Sequence, residues 1–479
     1  MPLSTKMTRR QFGLAAAATA AGLTVLPRYV LGGPGFVAPS ETINVAIVGC
    51  GGQGRTNARS LFQQHDVRVI ALADPCDKAD YSPYYYKGEA GRLPVLAEVQ
   101  ERYGKDNKSF KCADYLDFRQ MLDKEKAIDA ILCATPDHGH AFVTMTAMRR
   151  GKHVYCEKPL THNIYEARAI AKAATETGVA TQMGNQGRSA SSHALACAWI
   201  WNGAIGDVTE VHAWSGAGAW SSGRGRPKET PPVPAGFDWN LWLGPKPDRP
   251  YSPAYAPYNW RGWWAFGTGA AGDMMVHNID PAFASLELDK RPPAEVECLK
   301  TDFVDDEVIA GGNHIQWSYP AAGGKPAMAI HWYDGNLLPK RPAELEEGRM
   351  MGEGSNGVYF VGTKGILMAG GWSKSPRLIP ETKMREYLAV NKDKKPPRTI
   401  PESKGHHRDW LDACKGGKPA RSRFEYGAAL TEFVLLADVA VRAKQKIQWD
   451  SAAMKVTNVP AAQAFVQETY REGWDLMKL

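Results

Sequence analysis

Ile43-Asn44-Val45-Ala46-Ile47-Val48-Gly49-Cys50-Gly51-Gly52-Gln53-Gly54 runs from a β-branched apolar stretch straight into a glycine-rich turn. Residues 43–48 have the length and composition of a buried parallel strand. A helix is predicted directly after the turn, over 54–63. Gly49 permits the tight turn, Gly51 lets backbone approach a pyrophosphate, and Gly54 lets the helix pack closely on the strand. The helix N-terminus offers unpaired N–H groups and a partial positive charge to phosphates. Asp74 ends the next apolar run, twenty residues beyond Gly54. A carboxylate there accepts both ribose hydroxyls and repels a 2′-phosphate, which favours NAD over NADP. Arg55 and Lys78 are the nearby cations that argue the other way.

Outward from this turn, residues 41–185 alternate apolar runs with helical segments, the signature of an α/β parallel sheet with crossover helices. Strands are predicted at 43–48, 67–73, 130–134, 153–156 and 180–183, with a weaker one at 109–112. Helices are predicted at 54–63, 93–103, 115–123, 138–150 and 163–176. Residues 75–92, with Tyr81 and Tyr84–Tyr86, read as an insertion in the second crossover. From about 186 the style changes: residues 199–264 hold nine of the fifteen Trp. With few aliphatic runs, this segment is expected to form ordered loops clamped by aromatic packing. Strands follow at 294–299, 314–318, 327–332, 357–361 and 365–368, implying a mixed or antiparallel sheet. Helices return near 407–415 and 426–444, and 461–477 packs back on the body.

Two further segments sit at strand ends, where an open sheet binds its ligands. One is Ala134-Thr135-Pro136-Asp137-His138-Gly139-His140, in which at least one His is expected to cap or pack. The other is Tyr155-Cys156-Glu157-Lys158-Pro159-Leu160, whose Lys can reach a nicotinamide edge. In the second half, Gly272-Asp273-Met274-Met275-Val276-His277 sets an Asp and a His four residues apart. On a helix these share a face, so the Asp can orient the His ring and stabilise its charged form.

Together these segments resemble the glucose–fructose oxidoreductase/inositol dehydrogenase (Gfo/Idh/MocA) family. Phe237–Pro245 and Trp260-Arg261-Gly262-Trp263-Trp264 are similar to its exported bacterial branch. The resemblance implies a Rossmann domain at 41–185. It also implies an α/β domain at 186–479, whose large, mostly antiparallel open sheet backs the substrate site and forms a homodimer or homotetramer interface. Lys158, Asp273 and His277 would be catalytic. The expected cofactor set is Gly49, Gly51, Gly52, Gln53, Gly54, Asp74, Thr135, Pro136, His140, Glu157, Lys158 and Asn185. Trp260 and Arg261, with Lys158, Asp273 and His277, would bind substrate. No metal is implied.

Composition is that of an ordinary folded protein. The 479 residues are 44% hydrophobic and 23% charged, which excludes disorder and collagen-like repeats. The net charge of +7 is concentrated at the start, where Lys6, Arg9, Arg10 and Arg28 precede the first acid, Glu41; without these four it is +3. No other basic run supports nucleic-acid or membrane-surface binding. Arg9-Arg10, Phe12 and the apolar run 14–26 resemble a twin-arginine export signal over 1–35, too short for stable membrane insertion. The protein is thus expected in the periplasm or outside the cell, delivered by the Tat machinery. Its eight cysteines contain no Cys-x-x-Cys pair and read as buried side chains, suiting a protein folded before export.

The expected chemistry is reversible oxidation of a secondary hydroxyl of a sugar or polyol. His277 is the preferred base, and Lys158 the alternative carrier of the proton. Export away from the NAD pool implies a tightly bound, internally recycled cofactor. The alternatives are an NAD-dependent glycosidase or lyase working through transient sugar oxidation, and a non-catalytic sugar-binding protein. Lys158 disfavours the former, because that branch of the family differs there.

Overall fold

The computed structural model of the chain describes residues 38, 41–218, 220, 223–391 and 397–478; the expected leader at 1–35 lies outside them. The first half contains β1 (Ile43–Val48), β2 (Val67–Ala73), a short antiparallel pair β3 (Ala79–Asp80) and β4 (Glu89–Ala90), β5 (Ala113–Tyr115), β6 (Ala130–Cys133), β7 (His153–Cys156) and β8 (Thr181–Met183). Six of these form one parallel sheet in the order β5-β2-β1-β6-β7-β8. The apolar run of β1 is central and almost wholly buried, as a strand covered on both faces must be. The strand order reverses between β1 and β6, where the loops leaving adjacent strands diverge and open a crevice.

The helix after β1 starts two residues earlier than its pattern suggested, at Gly52, with Gly51 as its N-cap. Residues 164–177 start from a capping box of Asn163 and Glu166 and stop at left-handed Gly178. The weak strand expected at 109–112 forms instead at 113–115, because Asn107 Oδ1 accepts both Ser109 N–H (3.0 Å) and its hydroxyl (2.7 Å) and holds that segment in a turn.

The second sheet is built from β9 (Val208–Ser215), β10 (Glu295–Thr301), β11 (Asn313–Tyr319), β12 (Met328–Asp334), β13 (Asn356–Gly362), β14 (Gly365–Gly370), β15 (Arg377–Ile379), β16 (Ile447–Asp450) and β17 (Lys455–Val456). Its order is β15-β14-β13-β9-β12-β11-β10-β16-β17, antiparallel except for β9 beside β12. β9 corrects the expectation that 199–264 holds only loops. Val-Thr-Glu-Val-His-Ala-Trp-Ser hides its alternation because its last five residues are buried on both faces. Beyond the end of helix Ser191–Trp201, the described remainder of that segment holds short helical turns at Trp239–Leu243 and Asn259–Gly262 among loops locked by rings, with Trp239 stacked on Trp242 at 4.8 Å.

The division at 185 separates the two sheets but not the core. Helix 424–443 packs on helix 164–177, and Leu160 N–H donates to Thr431 Oγ1 at 3.1 Å. Helix 406–414 returns to the first sheet and buries Trp410 and Leu411 under its other face. The C-terminal segment also packs back: Trp474 and Leu476 are buried, and Arg471 N–H donates to the Pro245 carbonyl. Among the described residues no helix is long and apolar enough to cross a membrane.

Candidate active site

A crevice of about 830 Å³ lies between the strand ends of the first sheet and the second domain. Its floor starts at the glycine turn. Gly49 takes a left-handed φ of 88°, and a Cβ there would lie 2.6 Å from the Ala134 carbonyl carbon, so only glycine lets the β1 and β6 ends meet. Gly54 packs its helix against the Gly49 carbonyl and does not itself line the crevice. Asp74 faces the crevice and accepts the N–H of Cys50 (2.6 Å) and of Cys76 (2.8 Å). Burial pushes its carboxyl up to about 6 against the pull of those two amides. The competing cations are engaged: Arg55 pairs with Glu98 at 2.7 Å and Lys78 with Glu89 at 3.1 Å. Glycine-turn amides at a helix start, a carboxylate facing the crevice and, among the described residues, no free cation beside it fit a dinucleotide lacking a 2′-phosphate.

The two strand-end motifs close on this floor. Thr135, Pro136, His140, Glu157 and Lys158 all line the crevice. Glu157 is buried, and its Oε1 accepts Gln53 Nε2 (3.0 Å) and Asn57 Nδ2 (2.9 Å), which ties the end of β7 to the first helix. Both histidines of the 134–140 segment are occupied. His138 Nε2 lies 2.9 Å from the Trp242 carbonyl; His140 lies 2.7 Å from the Pro159 carbonyl and 2.9 Å from that of Thr135. Cys133, Cys156 and His140 have ligand atoms within 4.8 Å of one another, buried under the crevice. With both His140 nitrogens directed at carbonyls, that trio is a packed thiol–imidazole cluster. All eight cysteines are free.

The second domain delivers Asp273 and His277. They arrive on a π-helical turn, Ala271–Met275, that runs into a short α-helical turn. The wider turn takes Asp273 out of α-helical register, and here the structure differs from the expected Asp–His pair. Asp273 Oδ1 accepts Lys158 Nζ at 2.6 Å, the Asp273 carbonyl accepts the same amine at 2.9 Å, and Arg261 Nε approaches Oδ1 at 3.6 Å. Burial opposes the charge on Asp273, yet Lys158 and Arg261 hold its carboxyl down to about 2. His277 makes no hydrogen bond to it. The His277 ring sits 5.3 Å from that of Trp372, its Nδ1 is buried without a partner, and burial followed by the Lys158 charge pushes it down to about 3. The site thus holds a charged amine, a charged carboxylate and a neutral imidazole.

Trp260 and Arg261 form the opposite wall, with the guanidinium 4.2 Å from the Trp260 ring centre and 4.4 Å from that of Tyr258. Asn185 is elsewhere. It is fully buried, its amide donates to Asp280 Oδ2 at 3.0 Å and its carbonyl accepts Ser422, and it does not line the crevice. Sequence reading passed over Asp137, whose carboxylate accepts the Thr268 hydroxyl at 2.7 Å just before the π turn, and Trp372 beside His277. Neither carries a local signal. Tyr81 and Tyr86, noted only as part of an insertion, lie directly on Gly51 and Gly52.

Residues 43–185 match a family model described as the NAD-binding Rossmann fold of an oxidoreductase family, and residues 198–327 match that family's C-terminal α/β domain. A levoglucosan dehydrogenase from Pseudarthrobacter phenanthrenivorans is 26% identical over half of each chain. A 2,7-anhydro-N-acetylneuraminate hydratase from Escherichia coli is 30% identical over 36% of this chain and 39% of its own. These alignments span half or less of the relatives' lengths. Among solved structures, a WlbA dehydrogenase from Bordetella pertussis, in complex with NADH and UDP-GlcNAcA, superposes with a TM-score of 0.53 at 15% identity, covering 85% of this chain and 99% of the other.

Proposed function

Because the chain belongs to the Gfo/Idh/MocA oxidoreductase family, with its NAD-binding Rossmann fold followed by its C-terminal α/β domain, we propose that it oxidises or reduces a secondary hydroxyl position of a sugar or polyol. The observation that carries this reading is the meeting of Lys158, Asp273 and His277 in the crevice that begins at the glycine turn. Bound NAD supplies the hydride-accepting or hydride-donating carbon. The chain's own residues handle the proton. Two N–H bonds of the Lys158 amine are directed at Asp273, so its remaining hydrogen is available to a substrate oxygen. His277, uncharged at neutral pH, accepts the hydroxyl proton and returns it in the reverse direction. Arg261 and Trp260 grip the remaining hydroxyls and ring faces.

The dehydrogenase relative acts in its own name on an anhydrosugar, which supports a carbohydrate-class substrate. The hydratase relative supports a second reading, in which transient oxidation serves an elimination, hydration or glycoside cleavage with no net redox change. Aryl glycosides separate the two: phenol release that depends on bound NAD favours the second reading.

We also propose export through the leader, retention of NAD with recycling on the enzyme, and self-association through the open sheet. On that sheet His212 stacks on His331 at 4.7 Å and His314 on Tyr333 at 4.1 Å. The decisive experiment purifies the protein and assays co-purifying nicotinamide by absorbance and mass spectrometry, then screens sugars and polyols on the holoprotein at the NADH band. Protein that carries no nicotinamide and binds added NAD weakly would overturn the retained-cofactor reading.

A further inference from the structure

The insertion at 75–92 is a built element. β3 pairs with β4, Tyr81 N–H donates to the Gly88 carbonyl at 2.8 Å, and Gly91 N–H donates to the Cys50 carbonyl of the glycine turn at 2.8 Å. Arg92 pins its base to Asp77 and Asp114. Its other side grips the second domain: Asp77 N–H donates to the Gly236 carbonyl at 2.7 Å, Asp238 N–H to the Pro75 carbonyl at 2.8 Å, and Tyr84 stacks on Tyr258 at 4.5 Å. The hairpin therefore spans both walls of the crevice.

Two tyrosines point down from it onto the turn. The buried Tyr81 hydroxyl lies 2.6 Å from where a Cβ on Gly51 would stand, and a Cβ on Gly52 would run into the Tyr86 ring. Tyr86 Oη donates to Gln53 Oε1 at 3.1 Å, and Gln53 in turn reaches Glu157 beside Lys158. Gly51 and Gly52 thus let two aromatic side chains pack directly on the turn. Burial, together with the neighbouring Asp74 carboxylate, keeps the Tyr81 phenol protonated; it is a neutral donor set over the helix start where a diphosphate gathers its amides.

We propose that this hairpin is a strap that retains the dinucleotide, with Tyr81 donating to a diphosphate oxygen and Tyr86 closing over the turn through Gln53. The proposal rests on the NAD reading above and adds the residues that would make release slow. A cofactor can leave only when the hairpin parts from one wall, and each tyrosine hydroxyl is one contact to be broken. A hydrogen bond to a charged group corresponds to about ten- to a hundredfold in rate or affinity.

The test uses the full-length protein and Y81F, Y86F and Y84F, each loaded with NADH and diluted into excess NAD, with loss of bound-NADH fluorescence followed in time. Phe keeps each ring, and melting temperatures recorded alongside report on folding. Y81F is expected to release NADH about tenfold or more faster than the parent, and Y86F, which loses a neutral bond to Gln53, about threefold or more faster. Y84F, which keeps its stack on Tyr258, is expected to match the parent. Parental uptake with unchanged release in Y81F and Y86F overturns the strap, as does an equal acceleration in Y84F. A parent that neither carries nicotinamide as purified nor takes up added NADH sinks the dinucleotide reading and the strap with it.

Discussion

The Lys158 ammonium stands 2.6 Å from the Asp273 carboxylate, joining the end of β7 to a π-helical turn 115 residues later. Lys158 and Arg261 both rely on that carboxylate for their counter-charge. Asp273→Asn is expected to lower kcat by about 10²-fold and to cost about 1–3 kcal/mol of stability, since two largely buried cations lose their partner. Lys158→Ala is expected to lower kcat by about 10²–10⁴-fold. NADH affinity, measured by fluorescence titration, should change far less than turnover in both. Parental turnover in either variant would remove that residue from the chemistry.

Cofactor affinity should depend on pH through Asp74. Its carboxyl is pushed up to about 6, so the charged form that accepts ribose hydroxyls is lost as pH falls through that value. The NADH Kd is expected to rise between pH 7.5 and 5, with a limiting slope of about tenfold per unit, and Asp74→Asn is expected to bind weakly at every pH. Stability of the free protein moves in the opposite sense. The folded state holds this proton where the unfolded chain, near 3.8, has released it, so the Asp74 contribution declines as pH rises from about 4 to about 6. A flat Kd profile over this range would contradict the assignment.

Trp372 holds a left-handed backbone, φ 55° and ψ 28°, beside His277, and its amide donates to Asn278 Oδ1 at 3.3 Å. Trp372→Gly relieves a backbone cost of about 1–2 kcal/mol while removing the indole that walls the crevice. The expected result is a nearly unchanged melting temperature with a substrate KM raised about tenfold. Thermal melts and steady-state kinetics on one preparation check it; an unchanged KM would show that the indole does not meet substrate.

Arg9 and Arg10 carry the export proposal. Replacing both with Lys keeps the charge but removes the pair, and the protein is expected to stay in the cytoplasm. Fractionation with an antibody to the body of the protein reads this directly. Undiminished export of the double variant would reject the twin-arginine route.

Much of the first domain was legible residue by residue. β1, β2 and β7 have the bounds their apolar runs suggested, because a parallel strand covered on both faces must be continuously apolar and glycine must mark its turn. β9 was not legible, because its place between β12 and β13 came from partners more than a hundred residues away. The Asp273–His277 spacing was visible, but the π turn that sends the carboxylate to Lys158 was not. Asn185, which stood in the cofactor set only through the family resemblance, is instead held by Asp280 and Ser422.

By itself the chain determined the strand–glycine–helix unit, the acid at 74 and the strand-end lysine, all set by periodicity and turn chemistry within about thirty residues. Tertiary structure alone decided which carboxylate pairs with that lysine, which wall Trp372 builds and why two tyrosines lie over the glycines. The physical reason is placement: a hydrogen bond or ring stack depends on where the backbone carries its two ends, and ends that sit on different elements leave no period in the sequence to record it.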